Sequence, residues 1–354
     1  MEENPELFQA TAQVIIAQRE ELVKNAIDRQ YAKNPQDWES YEEKGYLKSL
    51  RDSNYHFSYL SEAISVNNLS IFLDYVAWMK VFFGSHQFPA NTVTETLIHM
   101  KPALGDILSP DQADLAIQFI DSALDQYPEM PEEIAMYIAA DKPQYELAQR
   151  YLDALIMGER HTASQAILDA VEKGVAIKDI YLHVFQNTQL EVGRLWQTGQ
   201  ISVAQEHFCT ATTQMVISQL YPYIFSSKKN GYSLVATCVG DELHEMGMRM
   251  VADFFEMDGW NTYFLGANTP TSSVIKAIEM RGANLVAIST TLPLHLRKAA
   301  QLIKDIRKNL TSSIKILVGG YPFNLSNNLW EKVDADGFAP NAQLAIQVAK
   351  DLVV

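Results

Sequence analysis

Apolar and polar positions follow two different rhythms along this chain, and the change falls near residue 231. Before it the spacing is helical. Leu7 to Tyr31 carries apolar residues at near-helical intervals, and Tyr55 to Phe83 is a long segment rich in rings. Ser109-Pro110-Asp111 predicts a helix start, with Ser as N-cap and Pro at the first helical position. The cluster Pro128-Glu129-Met130-Pro131 interrupts the pattern and closes an all-helical N-terminal domain over 1–130. Candidate helices at 143–157, 162–173, 177–198 and 202–225 then follow, joined by short turns around Gly158, Gly174 and Thr198-Gly199-Gln200. Four helices with short connections predict a four-helix bundle over 131–230. Beyond Lys228-Lys229-Asn230-Gly231 the apolar residues come in short continuous runs: Leu234 to Val239, Thr262 to Leu265, Leu285 to Ile288, Ile314 to Val318, and more weakly Ala335 to Ala339. Each of the first four precedes an amphipathic stretch. Such runs predict a parallel sheet covered on both faces, a doubly wound (Rossmann-like) domain over 231–354. The fold class is therefore multidomain, α followed by α/β.

A length of 354 residues agrees with two or three domains. The net charge of −15 changes the functional picture more. Residues 1–130 hold 9 basic against 20 acidic residues, so a nucleic-acid reader there is excluded and no nucleic-acid partner is expected. Cys209 and Cys238 are the two cysteines, too few for a disulfide framework or a Cys-rich zinc site. The start Met1-Glu2-Glu3-Asn4-Pro5 has no basic n-region, and the most apolar window, Tyr75 to Gly84, is short and carries Lys80. No membrane association is expected, and a cytoplasmic location is.

In a doubly wound sheet, ligands sit beyond the carboxyl ends of the strands. That rule singles out the loop Gly240-Asp241-Glu242-Leu243-His244-Glu245-Met246-Gly247, whose glycine spacing fits neither a P-loop nor a dinucleotide fingerprint. A carboxylate two residues before His244 can fix its tautomer and strengthen the other ring nitrogen as a metal ligand. After Glu242-x-His244-x-x-Gly247 come 41 residues, then Ser289-Thr290-Thr291, then 27 residues, then Gly319-Gly320. Three motifs at these separations, each at a strand end, resemble the cobalamin-binding signature of methionine synthase and the corrinoid proteins. Two positions depart from it: Glu242 stands for Asp and Thr291 for Leu. The resemblance implies base-off binding with His244 as lower axial ligand on cobalt. It also implies a tail slot at Gly247, Ser289, Gly319 and Gly320, with Leu243, Glu245, Met246 and Thr291 as further cofactor-binding residues.

Trp196, nine residues, then Glu206-His207 is similar to the W-x9-E-H pattern of the B12-dependent photoreceptors related to CarH. In that family the Trp covers the adenosyl group and the Glu hydrogen-bonds it, which implies adenosylcobalamin as cofactor. The residue after Trp196 is Gln197, where the light-sensing repressors have His. Their basic DNA reader is replaced here by an acidic helical domain dense in rings: Tyr55, His56, Phe57, Tyr59, Phe72, Tyr75, Trp78, Phe82 and Phe83, with His86 and His99 nearby. That layout resembles the photocobilin subgroup and implies biliverdin as a second chromophore. Since residues 1–208 hold no Cys, the pigment would be bound non-covalently. The expected function is a light-sensing receptor, not an enzyme, that changes domain or subunit contacts on cobalt–carbon photolysis. A light-dependent homo-oligomer and a signalling protein partner are expected with it. The alternatives are a corrinoid methyl carrier serving a methyltransferase, and a B12 store without signalling.

Overall fold

The computed structural model describes residues 4–33, 42–225, 227–310, 314–326 and 328–353; the opening Met1–Glu3 lies outside them. The chain forms two compact units that do not follow the linear domain order. One holds residues 1–132 with two later segments, Thr291–Ala300 and Tyr321–Val333; the other holds the remainder. Two connections of the domain expected over 231–354 thus group with the N-terminal helices.

The first unit is built on helices α1 (Pro5–Ala17), α2 (Arg19–Lys33), α3 (Glu42–Ser65), α4 (Leu69–Ser85), α5 (Thr92–Ile107) and α6 (Pro110–Gln126). The expected N-cap at Ser109 is present, and it forms a full capping box with Gln112. The near-helical spacing from Leu7 to Tyr31 falls on two helices, parted at Gln18. Tyr55 to Phe83 is likewise two helices. Asn67 turns in the left-handed region at φ 45°, and the Asn68 side chain caps α4. Amphipathic spacing continues across both breaks, so periodicity alone does not register them. Lys80 closes the end of the unit by donating to the carbonyls of Tyr127, Pro128 and Met130 at 2.7–3.3 Å.

The second unit begins with the bundle: α7 (Tyr145–Ile156), α8 (Arg160–Glu172), α9 (Gln186–Gln197) and α10 (Val203–Gln219). Before α9, residues Ile180–Phe185 take a π-helical turn that no pattern in the sequence announces. The segment before α7 is tied to the bundle by Ile138, buried in its core, and by the Tyr137 N–H, which donates to Glu191 at 2.8 Å. Glu191 is itself buried and held by Arg194 at 2.6 and 2.9 Å, so its charge is compensated.

The sheet follows: β1 (Ser233–Cys238), α11 (Met246–Met257), β2 (Asn261–Gly266), α12 (Thr271–Arg281), β3 (Leu285–Ser289), α13 (Leu296–Asn309), β4 (Lys315–Gly319), β5 (Gly337–Phe338) and α14 (Ala342–Val353). All pairings are parallel, in the order β2-β1-β3-β4-β5. The order reverses between β1 and β3, whose carboxyl ends therefore open the crevice of the sheet. Bundle and sheet share one apolar core that runs from Tyr151, Tyr181 and Phe185 through Phe254 and Phe255 to Leu285 and Leu317. Polar links cross it. The Tyr181 hydroxyl donates to Asp253 at 2.8 Å, and Arg249 donates to the Tyr221 hydroxyl and to Ser218. Burial pushes the Asp253 carboxyl up to about 6, against the opposing pull of Tyr181 and Arg249. Among the described residues no helix is long and apolar enough to cross a membrane.

Candidate functional site

The loop after β1 is folded around one carboxylate. Glu242 is fully buried, and its Oε1 accepts both the His244 backbone N–H at 3.0 Å and His244 Nδ1 at 2.6 Å. The ring is thereby fixed with Nε2 left to act as a base or a metal ligand, and the side chain is 57% exposed. The Glu242 hydrogen bond raises the imidazole's affinity for a proton, against burial; the charges of Glu242 and, from α10, Glu206 add to it. Asp241, at φ 64°, turns the loop and donates its N–H to Asn268 at 3.0 Å.

The other loop residues divide. Leu243 is exposed, and Met246 packs against the core. Glu245 is committed to the chain: it accepts the Ala267 N–H at 2.8 Å and lies 3.4 Å from Gln214 Nε2. A Cβ added at Gly247 would meet no atom within 4 Å, so the protein's own packing does not demand glycine there.

Strand register brings the remaining motifs to the same crevice. Cys238, Ser289 and Gly319 form one row across β1, β3 and β4. At the next position the two motif ends touch backbone to backbone. The Thr290 N–H donates to Gly319 O at 3.1 Å, and Gly320, at φ +104°, passes so close that a Cβ would stand 2.0 Å from Thr290 O. Only glycine fits, by conformation and by space. Ser289 and Thr290 are both buried, while Thr291 begins one of the segments assigned to the first unit.

On the bundle, Trp196 is half-buried against the core near the end of α9, and Gln197 is buried. Glu206 and His207 sit in the first turn of α10, which Ser202 caps, and they hydrogen-bond to each other. His207 is exposed. Thr210 links Glu206 to Gln189 at 3.0 and 3.1 Å, and Gln189 continues to Thr213 and so to Tyr151. Sequence reading missed Asn268, Gln189, Thr210 and Gln214. Their partners lie on other elements, and no local pattern marks them.

The site asks for a metal already held by its own ring. Among the described residues no three His, Cys, Asp or Glu come together as a metal cage. A corrin would supply four nitrogens to cobalt, so a single oriented imidazole such as His244 would suffice as the protein's donor. The open space at Gly247, where a Cβ would meet no atom within 4 Å, leaves room for a close-lying group.

Comparison with known proteins bears on the same two regions. Residues 232–346 match the family model "B12 binding domain", and residues 147–221 match a second model of that description. The chain carries B12-binding domains. Residues 4–128 match the model "Phycobilisome protein". Dimethylamine corrinoid protein 2 of Methanosarcina mazei is 26% identical over 219 residues, 59% of this chain and 98% of that protein. A corrinoid protein of Desulfitobacterium hafniense is 23% identical over 207 residues, 56% of this chain and 94% of its own. The structure of the Methanosarcina barkeri monomethylamine corrinoid protein aligns with a TM-score of 0.53 and 21% identity, covering 59% of this chain and 99% of that one. It shares the fold of the bundle and the α/β domain.

These findings correct the expected function. Bundle and α/β domain together align along nearly the full length of proteins named corrinoid proteins, so the light-sensing reading drawn from Trp196 and Glu206-His207 is overturned. A Trp and a Glu-His pair on two helices are a small signal beside an alignment of 219 residues. Corrinoid binding stands.

Proposed function

We propose that this protein is a corrinoid methyl carrier that serves a methyltransferase and is not itself a catalyst. The alignment of bundle and α/β domain to nearly whole dimethylamine corrinoid proteins carries the reading. A bound corrinoid supplies the centre that accepts and releases a methyl group. The chain's part is to hold it. His244, oriented by Glu242, would hold the cobalt, and Ser289, Gly319 and Gly320 would receive the nucleotide tail. Trp196 and the Glu206–Thr210–Gln189 network line the bundle side, where the partner enzyme must reach the methyl group. A methylated amine is the donor class that the relatives' names suggest.

The test is to load the chain with cobalamin and record the electron paramagnetic resonance of the cobalt(II) form. Hyperfine splitting from a single protein nitrogen is expected, together with roughly 100-fold weaker binding in His244→Ala. An unchanged spectrum in His244→Ala removes the imidazole from the cobalt. Failure of the reduced, corrinoid-loaded protein to gain a methyl group from a methylated amine in the presence of an amine methyltransferase removes the carrier role.

A second reading concerns the first unit, and the phycobilisome match supports it. Four ring pairs on α3 and α4 form a stacked column: Tyr59–Tyr75 at 3.8 Å, Tyr75–Trp78 at 6.4 Å, Trp78–Phe82 at 5.1 Å and Phe82–His86 at 4.3 Å. Phe57, Phe72 and Tyr75 are core, whereas Tyr59, Trp78 and Phe82 are half-buried. Such a face suits a flat conjugated ligand. Non-covalent binding of a linear tetrapyrrole such as biliverdin follows from this reading. A titration should then give a shifted red band with an induced circular dichroism signal; the spectrum of free pigment refutes it.

A further inference from the structure

The two segments that leave the tail motifs do not stay with the α/β domain. Chain continuity makes Thr291 the next residue after Ser289-Thr290, and Tyr321 the next after Gly319-Gly320. Both Thr291–Ala300 and Tyr321–Val333 belong to the first unit, where side chains of α3 and α4 hold them. Helix α3 packs against the turn Pro293–His295. Its Glu62, 3% exposed, accepts the Arg297 backbone N–H at 3.2 Å and Arg297 Nε at 2.7 Å. One buried carboxylate thus caps the start of α13 and pairs with its second residue.

The other segment is held as firmly. The Tyr321 hydroxyl donates to Asp74 of α4 at 2.6 Å. Lys332 Nζ donates to the carbonyls of Val66 and Asn67, the free end of α3, at 2.8 and 2.9 Å. Phe323 and Leu329 of this segment are buried. Each tail motif is therefore one peptide bond away from a stretch anchored by polar contacts to α3 or α4. The motif ends are also locked to each other through Thr290 and Gly319. Their room to relax is small, since a packed backbone contact does not deform continuously.

We infer that Glu62 and Asp74 of the N-terminal helical unit are positioning residues for the corrinoid's nucleotide tail. They act through Arg297 and Tyr321 on the strand ends that receive it. The inference rests on the corrinoid reading and goes beyond it, because it gives the helical unit a hand in cofactor affinity. The mechanism is preorganisation: anchored segments hold Ser289, Thr290, Gly319 and Gly320 in the receiving arrangement before binding, so less freedom is lost when the tail arrives. The axial imidazole is outside this device, since the loop Gly240–Gly247 is held by Glu242 and Asn268.

That separation defines the test. Full-length protein is titrated with hydroxocobalamin and with diaquocobinamide, which has the corrin but no nucleotide tail. Glu62→Ala should weaken cobalamin binding about tenfold, within the ordinary range of coupling between sites. It should leave cobinamide binding within twofold. Tyr321→Phe removes only a half-exposed hydroxyl and cannot unfold the chain; a smaller loss, again confined to cobalamin, is expected. Equal losses on both corrinoids, or none, overturn the inference while corrinoid binding stands. Wild-type protein that binds cobalamin no better than cobinamide overturns it as well. Wild-type protein that binds neither corrinoid overturns both readings.

Discussion

Two histidines, one in each unit, show how differently the two regions are built. His244 lies on a loop with its ring more than half exposed, and its Nδ1 meets a buried carboxylate at 2.6 Å. His56 lies inside the helical unit, 7% exposed, and its Nδ1 shares a hydrogen bond with the Tyr75 hydroxyl at 2.7 Å. The distances are nearly equal, yet the shifts are opposite. Glu242 raises the proton affinity of His244, while burial without a counter-charge takes His56 down to about 4. The partner's charge, not its proximity, decides what an imidazole can do. One is equipped to be a ligand; the other is a neutral member of an aromatic core.

The glycines of the two regions divide in the same way and offer the largest effect. Gly320 combines φ +104° with a backbone oxygen 2.0 Å from the place of a Cβ. Gly320→Ala should cost roughly 4 kcal/mol, from backbone strain and overpacking together. Gly105, inside α5, meets nothing within 4 Å, so Gly105→Ala should gain about 0.5–1 kcal/mol. Chemical denaturation of both variants measures the contrast. If Gly320→Ala is as stable as wild type, the close packing of the two motif ends is wrong.

Acid sharpens the comparison next. His56 binds its proton in the unfolded chain near 6.5 and in the folded chain only near 4. Its contribution to stability is therefore intact above 6.5 and is lost as pH falls toward 4, up to about 3 kcal/mol. Asp253, raised from 3.8 to about 6, behaves oppositely. Its charged form penalises the fold above pH 6, and the penalty, again up to about 3 kcal/mol, is relieved as pH falls toward 3.8. Arg249 and Tyr181 face it and pull the other way, and Glu256 adds to the rise. His56→Gln should thus be least harmful at low pH and Asp253→Asn most beneficial near neutrality, each measured as the stability difference from wild type at pH 7 and pH 4.5. Differences that stay constant across that range mean that neither group is perturbed.

What the sequence discloses follows this division. The sheet was legible because continuous apolar runs such as Leu285 to Ile288 admit few other structures, and the three motifs because each occupies one strand end. The pairing of Glu242 with His244 was legible because it is local: the two are two residues apart. The destination of Thr291–Ala300 and Tyr321–Val333 was not legible. It depends on Glu62 meeting Arg297 across 235 positions and Asp74 meeting Tyr321 across 247, which no periodicity encodes. The π-helical turn at Ile180–Phe185 was equally hidden, since its residues read as ordinary helix. The functional reading erred where two residue types on neighbouring helices were given more weight than the alignment of a whole module bears.

The smallest expected effect lies on the bundle face that carries Trp196. Gly193 stands inside α9, where glycine costs about 1 kcal/mol relative to alanine, and its conformation is not left-handed. It shares a helical face with Gln189 and Trp196, four residues before it and three after. A Cβ there would meet no atom within 4 Å, so nothing in the protein's own packing requires the glycine. Gly193→Ala should therefore raise the stability of the corrinoid-free chain by about 0.5–1 kcal/mol. If this face covers the bound corrinoid, the same substitution should weaken cobalamin and cobinamide alike, since the added methyl group meets the ring and not the tail. A stabilised protein with unchanged affinity for both would place the corrin elsewhere than beneath Gln189, Gly193 and Trp196.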